Sequence, residues 1–98
     1  MRVGTVVSAA VFEQARKPAY KLEIDFGDFG MRKTSAQITR RYNPEDLLGR
    51  QVVAVVNFPP KQIGPFMSEC LVLGATYGGG DVVLLAPDFR VPNGWRIS

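Results

Sequence analysis

The 98-residue chain has no histidine and a single cysteine, Cys70. Without histidine it lacks the commonest general base and metal ligand, and one cysteine supports neither an intrachain disulfide nor the usual zinc sites. A Cys–His nucleophile pair is excluded for the same reason. We therefore expect no catalytic activity, no metal and no cofactor. A single cysteine also fits a reducing compartment such as the cytoplasm.

Long apolar runs are missing as well. No window approaches the roughly 20 apolar residues that cross a bilayer, and residues 1–18 lack the pattern of a signal peptide. We expect a cytoplasmic protein with no membrane insertion. The net charge is only +3, which permits a nucleic-acid partner without requiring one.

The length predicts one domain, residues 1–98. Hydrophobic residues make up 46% of the chain, enough for a single core. A domain of this size buries only about 60–65% of its unfolded surface, so its stability is modest. Dimerisation would cover further apolar surface.

Short strands separated by turn residues dominate the chain. Residues 20–26 alternate most clearly, which directs Tyr20, Leu22, Ile24 and Phe26 to one side. The other predicted strands are residues 3–12, 31–39, 51–57, 70–77 and 82–86. Gly4 in the first of them indicates a bulge or a close backbone approach.

One brief helix interrupts the strands. Asn43 is a suitable N-cap, Pro44 suits the first helical position, and Gly49 is a natural stop. A short helix before the fourth strand, in an all-β chain of this length, predicts a five-stranded OB-type barrel with a C-terminal extension. An SH3-like barrel is the alternative.

Candidate binding residues occur on the third strand and in the segment 57–74. Lys33, Ser35 and Gln37 share one strand face, and Arg32 precedes them. On an OB-type sheet such cations contact phosphates and such polar groups contact sugars or base edges, although a solvated face is the simpler interpretation. Lys61 follows a double proline, which restricts its backbone and suits a positioned phosphate contact.

Two phenylalanines beside prolines, Phe58 and Phe66, are candidates for an apolar pocket. They could equally fold back to plug one end of the barrel. Cys70, in apolar surroundings, is predicted to be a core thiol.

Four stretches together carry a family resemblance: A-R-K-P-A-Y-K-L-x-I-D-F-G at 15–27, S-A-Q-I at 35–38, L-G-R-Q-V at 48–52, and V-N-F-P-P-K-x-I-x-x-F-x-S-E-x-L-V-L-G at 56–74. The chain resembles the CsaA-type proteins of the tRNA-binding-domain group. In the wider group the last stretch leads into S-x-G-M, and here cysteine and leucine replace the glycine and methionine.

The resemblance implies an OB-fold homodimer that binds tRNA, unfolded or precursor polypeptides, or both, as an export-related chaperone. By motif match it implies a ligand-facing set of Ser35, Gln37, Asn57, Lys61, Ser68 and Glu69. Arg32 and Lys33 join this RNA-binding set from their strand positions alone, and Phe58 and Phe66 are our candidates for peptide binding.

We expect residues 82–98 to lie at the dimer interface, because Trp95 has no obvious place inside so small a barrel. Two alternatives to this function are a peptide-binding dimer with no physiological tRNA role and a plain dimerisation module.

Overall fold

A computed structural model describes residues 1–98. Its elements, in chain order, are β1 (Arg2–Val11), β2 (Tyr20–Asp25), a 3₁₀ turn (Gly27–Phe29), β3 (Met31–Ala36), α1 (Pro44–Leu47), β4 (Gln51–Val55), β5 (Lys61–Ile63), β6 (Phe66–Ser68), β7 (Leu71–Val72), β8 (Gly74–Tyr77) and β9 (Asp81–Leu84).

Five strands form one antiparallel sheet in the order β3-β2-β1-β4-β7. The sheet curls until β3 meets the chain around β6 and β7, which nearly closes a barrel. Two hairpins, β5–β6 and β8–β9, stand outside the main sheet. The predicted five-stranded OB-fold, with a short helix before the fourth strand, is therefore confirmed. No helix is long and apolar enough to cross a membrane.

The core follows the predicted alternation of β2. Tyr20, Leu22, Ile24 and Phe26 are all buried, and the intervening side chains face outward. Gly4 on β1 is a close-approach glycine, since a Cβ there would lie 2.6 Å from the Ile24 side chain. The bulge in β1 lies elsewhere, at the register shift between Val6 and Ser8.

The helix is as short as the sequence indicated. Asp46 accepts a hydrogen bond from the backbone amide of Asn43 at 3.1 Å, which caps the first turn. Leu47 is fully buried and anchors the helix to the core. Gly49 ends it with a φ of +79°, a conformation that glycine adopts without strain.

Three predicted segments differ from the structure. No strand was predicted at residues 58–69, but this part of the chain contains the hairpin β5–β6. The single strand predicted at 70–77 is divided at Gly74, where β8 leaves the main sheet to pair with β9. A Cβ at Gly74 would lie 2.7 Å from Val82 and 2.9 Å from the Val83 carbonyl oxygen, so only glycine permits this approach. The strand predicted at 31–39 ends at Ala36, because its partner β2 begins at Tyr20.

The C-terminal residues dock on β1 of their own chain. The Gly94 amide donates to the Val3 carbonyl at 2.7 Å, and the Val3 amide donates to the Trp95 carbonyl at 2.9 Å. The Gln51 amide group exchanges two hydrogen bonds with the backbone of Val91. The Trp95 side chain remains 56% exposed. A role of residues 82–98 at a dimer interface stays a prediction.

Candidate nucleic-acid interface

The barrel closes along a seam built largely by side chains. Thr34, buried on the inner side of β3, donates from Oγ1 to the Cys70 carbonyl oxygen at 2.7 Å and lies 3.0 Å from Ser68 Oγ. Ser68 Oγ also accepts from the Ser35 amide at 3.3 Å. These contacts satisfy backbone groups that β3 and the crossing segment would otherwise leave unpaired.

Glu69 continues the seam. Its amide donates to the Lys33 carbonyl at 2.7 Å, and its Oε1 accepts from the Lys33 amide at 2.9 Å. Ser68 and Glu69 of the predicted ligand-facing set thus have clear roles inside the protein. A direct contact of either residue with a ligand stays a prediction.

The cations of β2 and β3 lie mainly on the side of the sheet away from the core, which we call the outer face. In the strand register Lys21 faces Ser35 and Lys33 faces Glu23. Arg32 differs, since its Nη1 donates to the Val56 carbonyl at 3.0 Å. The structure therefore holds Arg32 to the protein backbone, while Lys33 stays exposed.

The first cavity, of about 470 Å³, lies beside the end of β3 and brings together five of the predicted residues. Ser35, Gln37, Phe58, Lys61 and Ser68 line it. The rest of its wall is mainly apolar and consists of Ala36, Ile38, Ile63, Cys70, Leu71 and Val72. Such a site can take an apolar or aromatic group and offers polar partners at its rim.

The second cavity, of about 410 Å³, adjoins the first and shares Ser35, Gln37 and Ile63 with it. Its opposite wall comes from the loop between β1 and β2 and includes Arg16 and Lys17. Arg16 and Lys17 were not among the residues predicted for the site. Their position in the first loop of an OB-type barrel was the available signal, because this loop flanks the binding face.

The third cavity, of about 200 Å³, contains Phe66. The Phe66 ring packs on Phe12 with centroids 5.4 Å apart, and Lys33 Nζ lies 5.5 Å from the Phe66 centroid. Lys21 Nζ lies 5.3 Å from the centroid of Phe12. Phe66 is therefore separated from Phe58, which lines the first cavity.

Asn57, another residue of the predicted ligand-facing set, is exposed and lines none of the three cavities.

Cys70 is buried, as expected for a core thiol, although the residue also lines the first cavity. Burial raises the pKa of its thiol to about 11. The group is therefore neutral near pH 7 and is a poor nucleophile.

These features define an OB-fold binding domain with a cationic outer face and adjoining cavities. A family model described as "Putative tRNA binding domain" matches residues 1–96. The chain belongs to this tRNA-binding-domain family, as a CsaA-type member.

Two solved structures are very similar to the chain. The chaperone CsaA from Bacillus anthracis str. Ames is 62% identical with a TM-score of 0.95, over 99% of this chain and 88% of that one. The CsaA chaperone protein from Picrophilus torridus is 51% identical with a TM-score of 0.91, over 99% and 89%.

A curated relative is much longer. The methionine–tRNA ligase of Bdellovibrio bacteriovorus is 36% identical over 98 residues, which is 100% of this chain but 14% of the ligase. The chain thus spans about a seventh of the length of the curated relatives it matches first. It corresponds to a non-catalytic domain.

Proposed function

We propose that the domain binds tRNA through the outer face of β2 and β3 and the loops beside it. The observation that carries the proposal is that five cations line the three cavities described above. The five are Arg16, Lys17, Lys21, Lys33 and Lys61. The family match supports the same ligand.

Each cation can neutralise one phosphate, and the polar side chains between them can contact sugars and base edges. Ser35 and Gln37 line both the first and the second cavity, where a sugar and a base edge of the RNA would be within reach of their side chains. Lys33 and Lys21 stand over aromatic rings, which limits the volume that their ammonium groups explore. Less conformational entropy is then lost when they bind a phosphate.

The salt dependence of tRNA binding tests this proposal. Lys61→Ala should weaken binding and lower the slope of log K against log salt by about 0.7–0.9, the share of one phosphate contact. Arg50→Ala is the matched control, since Arg50 is exposed, lines none of the cavities and lies outside residues 82–98. An unchanged slope for Lys61→Ala would remove Lys61 from the interface.

Holding of unfolded or precursor polypeptides is the second candidate function. It is favoured by the first cavity, whose wall is mostly apolar and includes the half-buried Phe58. Binding there should depend little on salt and show a negative heat-capacity change. Calorimetry with an unfolded polypeptide tests it: Phe58→Ala should weaken binding, and Phe66→Ala, which alters another cavity, should change it less. Equal effects would contradict a site at Phe58.

Homodimerisation, an export role and a cytoplasmic location complete the proposal. A dimer interface on residues 82–98 is supported by the exposed apolar side chains of Phe89, at 80%, and Trp95, at 56%. Sedimentation analysis would measure the mass directly. A dimer that binds neither tRNA nor polypeptide would leave only the plain dimerisation module.

A further inference from the structure

We propose that the first and second cavities together hold one unpaired nucleotide of the bound RNA. Its base occupies the first cavity against Phe58, and a flanking phosphate lies in the second cavity beside Arg16 and Lys17. This inference rests on the tRNA binding proposed above and names the part of the RNA that the site takes.

The first cavity suits a base. Its volume of about 470 Å³ falls within the range of roughly 300–1,000 Å³ found for small-ligand sites. A base has apolar faces and polar edges, and this wall matches both. Phe58 and Ile38 supply aromatic and apolar surface, and Gln37 supplies an amide that can donate and accept hydrogen bonds. A base in a duplex keeps its faces stacked and its edges paired, so only an unpaired one can enter.

The second cavity suits a phosphate. It shares Ser35, Gln37 and Ile63 with the first, so a ligand can extend from one to the other. Arg16 and Lys17 lie on its far wall, and neither cavity is lined by an aspartate or a glutamate. An apolar site joined to a cationic one complements a base joined to a phosphate. An apolar polypeptide side chain would leave the two cations unused.

The test compares two RNA hairpins that differ in one feature, a 3′ single-stranded overhang of four nucleotides. The hairpin with the overhang should bind about tenfold more tightly than the blunt one, within the range that stacking of a base on an aromatic side chain provides. A hairpin whose overhang lacks bases should bind like the blunt one. Binding of the overhang should also shift the NMR methyl resonances of Ile38 and Val72 through ring currents.

Two sets of variants localise the effect. Phe58→Leu keeps the cavity apolar but removes the aromatic face, and should abolish the overhang advantage, so that the two hairpins bind the variant equally. Phe58→Tyr should retain it. The double variant Arg16→Gln, Lys17→Gln should lower the salt slope more for the overhang RNA than for the blunt RNA.

The outcomes separate this inference from the proposed function. Equal binding of both hairpins, by a protein that binds whole tRNA, overturns the nucleotide site and leaves tRNA binding in place. An advantage that persists without bases, or a Phe58→Leu effect on both RNAs alike, also overturns it. Methyl shifts with an unfolded polypeptide and none with the overhang RNA would assign the cavity to polypeptide. Failure to bind whole tRNA overturns both proposals.

Discussion

Gly94→Ala should release the C-terminal residues from β1. Gly94 is buried with a φ of +96°, and a Cβ there would lie 2.6 Å from the Phe26 carbonyl oxygen. This distance is shorter than van der Waals contact, and the obstacle is backbone rather than a flexible side chain. The tail must therefore move away, which breaks its hydrogen bonds to Val3.

The cost follows from these two effects. The positive φ alone costs an alanine about 1–2 kcal/mol. The two backbone hydrogen bonds between Val3 and the tail contribute about 0.5–1.5 kcal/mol each, so their loss roughly doubles the penalty. A total of about 2–5 kcal/mol is a large part of the roughly 5–15 kcal/mol that stabilises a typical domain. The melting temperature should fall by more than about 10 °C.

Thermal and urea unfolding, followed by circular dichroism, measures the effect against two control glycines. Gly80 has a φ of +78° and no neighbouring heavy atom within 4 Å of a Cβ built there, so Gly80→Ala isolates the penalty of the positive φ. Gly78→Ala meets neither a positive φ nor a neighbour within 4 Å and should be neutral or slightly stabilising. If Gly94→Ala costs no more than Gly80→Ala, the close docking of the tail on Phe26 is refuted.

Two further predictions concern the seam. Thr34→Val should destabilise the fold by about 1–3 kcal/mol, because it removes the donor to the buried Cys70 carbonyl group. Thr76→Val is the control: Thr76 lies on an exposed strand, so this change should alter the unfolding free energy little. Equal effects of the two variants in urea titrations would contradict a stabilising role of the Thr34 hydrogen bond in the seam. Burial raises the pKa of the Cys70 thiol to about 11, from the value of about 9 that an unburied thiol has. The unfolded state therefore loses its proton first, and the stability should fall as the pH rises from about 9 to 11, a loss that Cys70→Ala should abolish.

The fold could be predicted wherever a local pattern decides the structure. Alternation placed Tyr20, Leu22, Ile24 and Phe26 in the core, and Pro44 marked the start of the helix. The β5–β6 hairpin could not be read in the same way, because it is short and half-exposed and has no clear alternation. The division of the last strand depends on a close contact of Gly74 with β9, which only the folded backbone defines.

The candidate site was predicted less completely. Ser35, on β3, and Gln37, just beyond its end, do share a cavity. Phe58 and Phe66 lie in different cavities, because the hairpin turns Phe66 toward Phe12. Arg16 and Lys17 are distant in sequence from residues 57–74, and tertiary structure brings them beside Ser35, Gln37 and Ile63. The spacing of residues along the chain does not show which distant residues the fold brings together.

The hydrogen bond between the Ile97 amide and the Met1 carbonyl, 2.9 Å long, places the two ends of the domain side by side. A short linker could join them at a small entropic cost, because closing a loop between neighbouring points restricts the chain little. The Gly78–Gly80 turn, which is exposed and joins β8 to β9, would then be a natural place for new termini. The same geometry would allow the barrel to be inserted into a loop of a larger protein without distorting the outer face of β2 and β3.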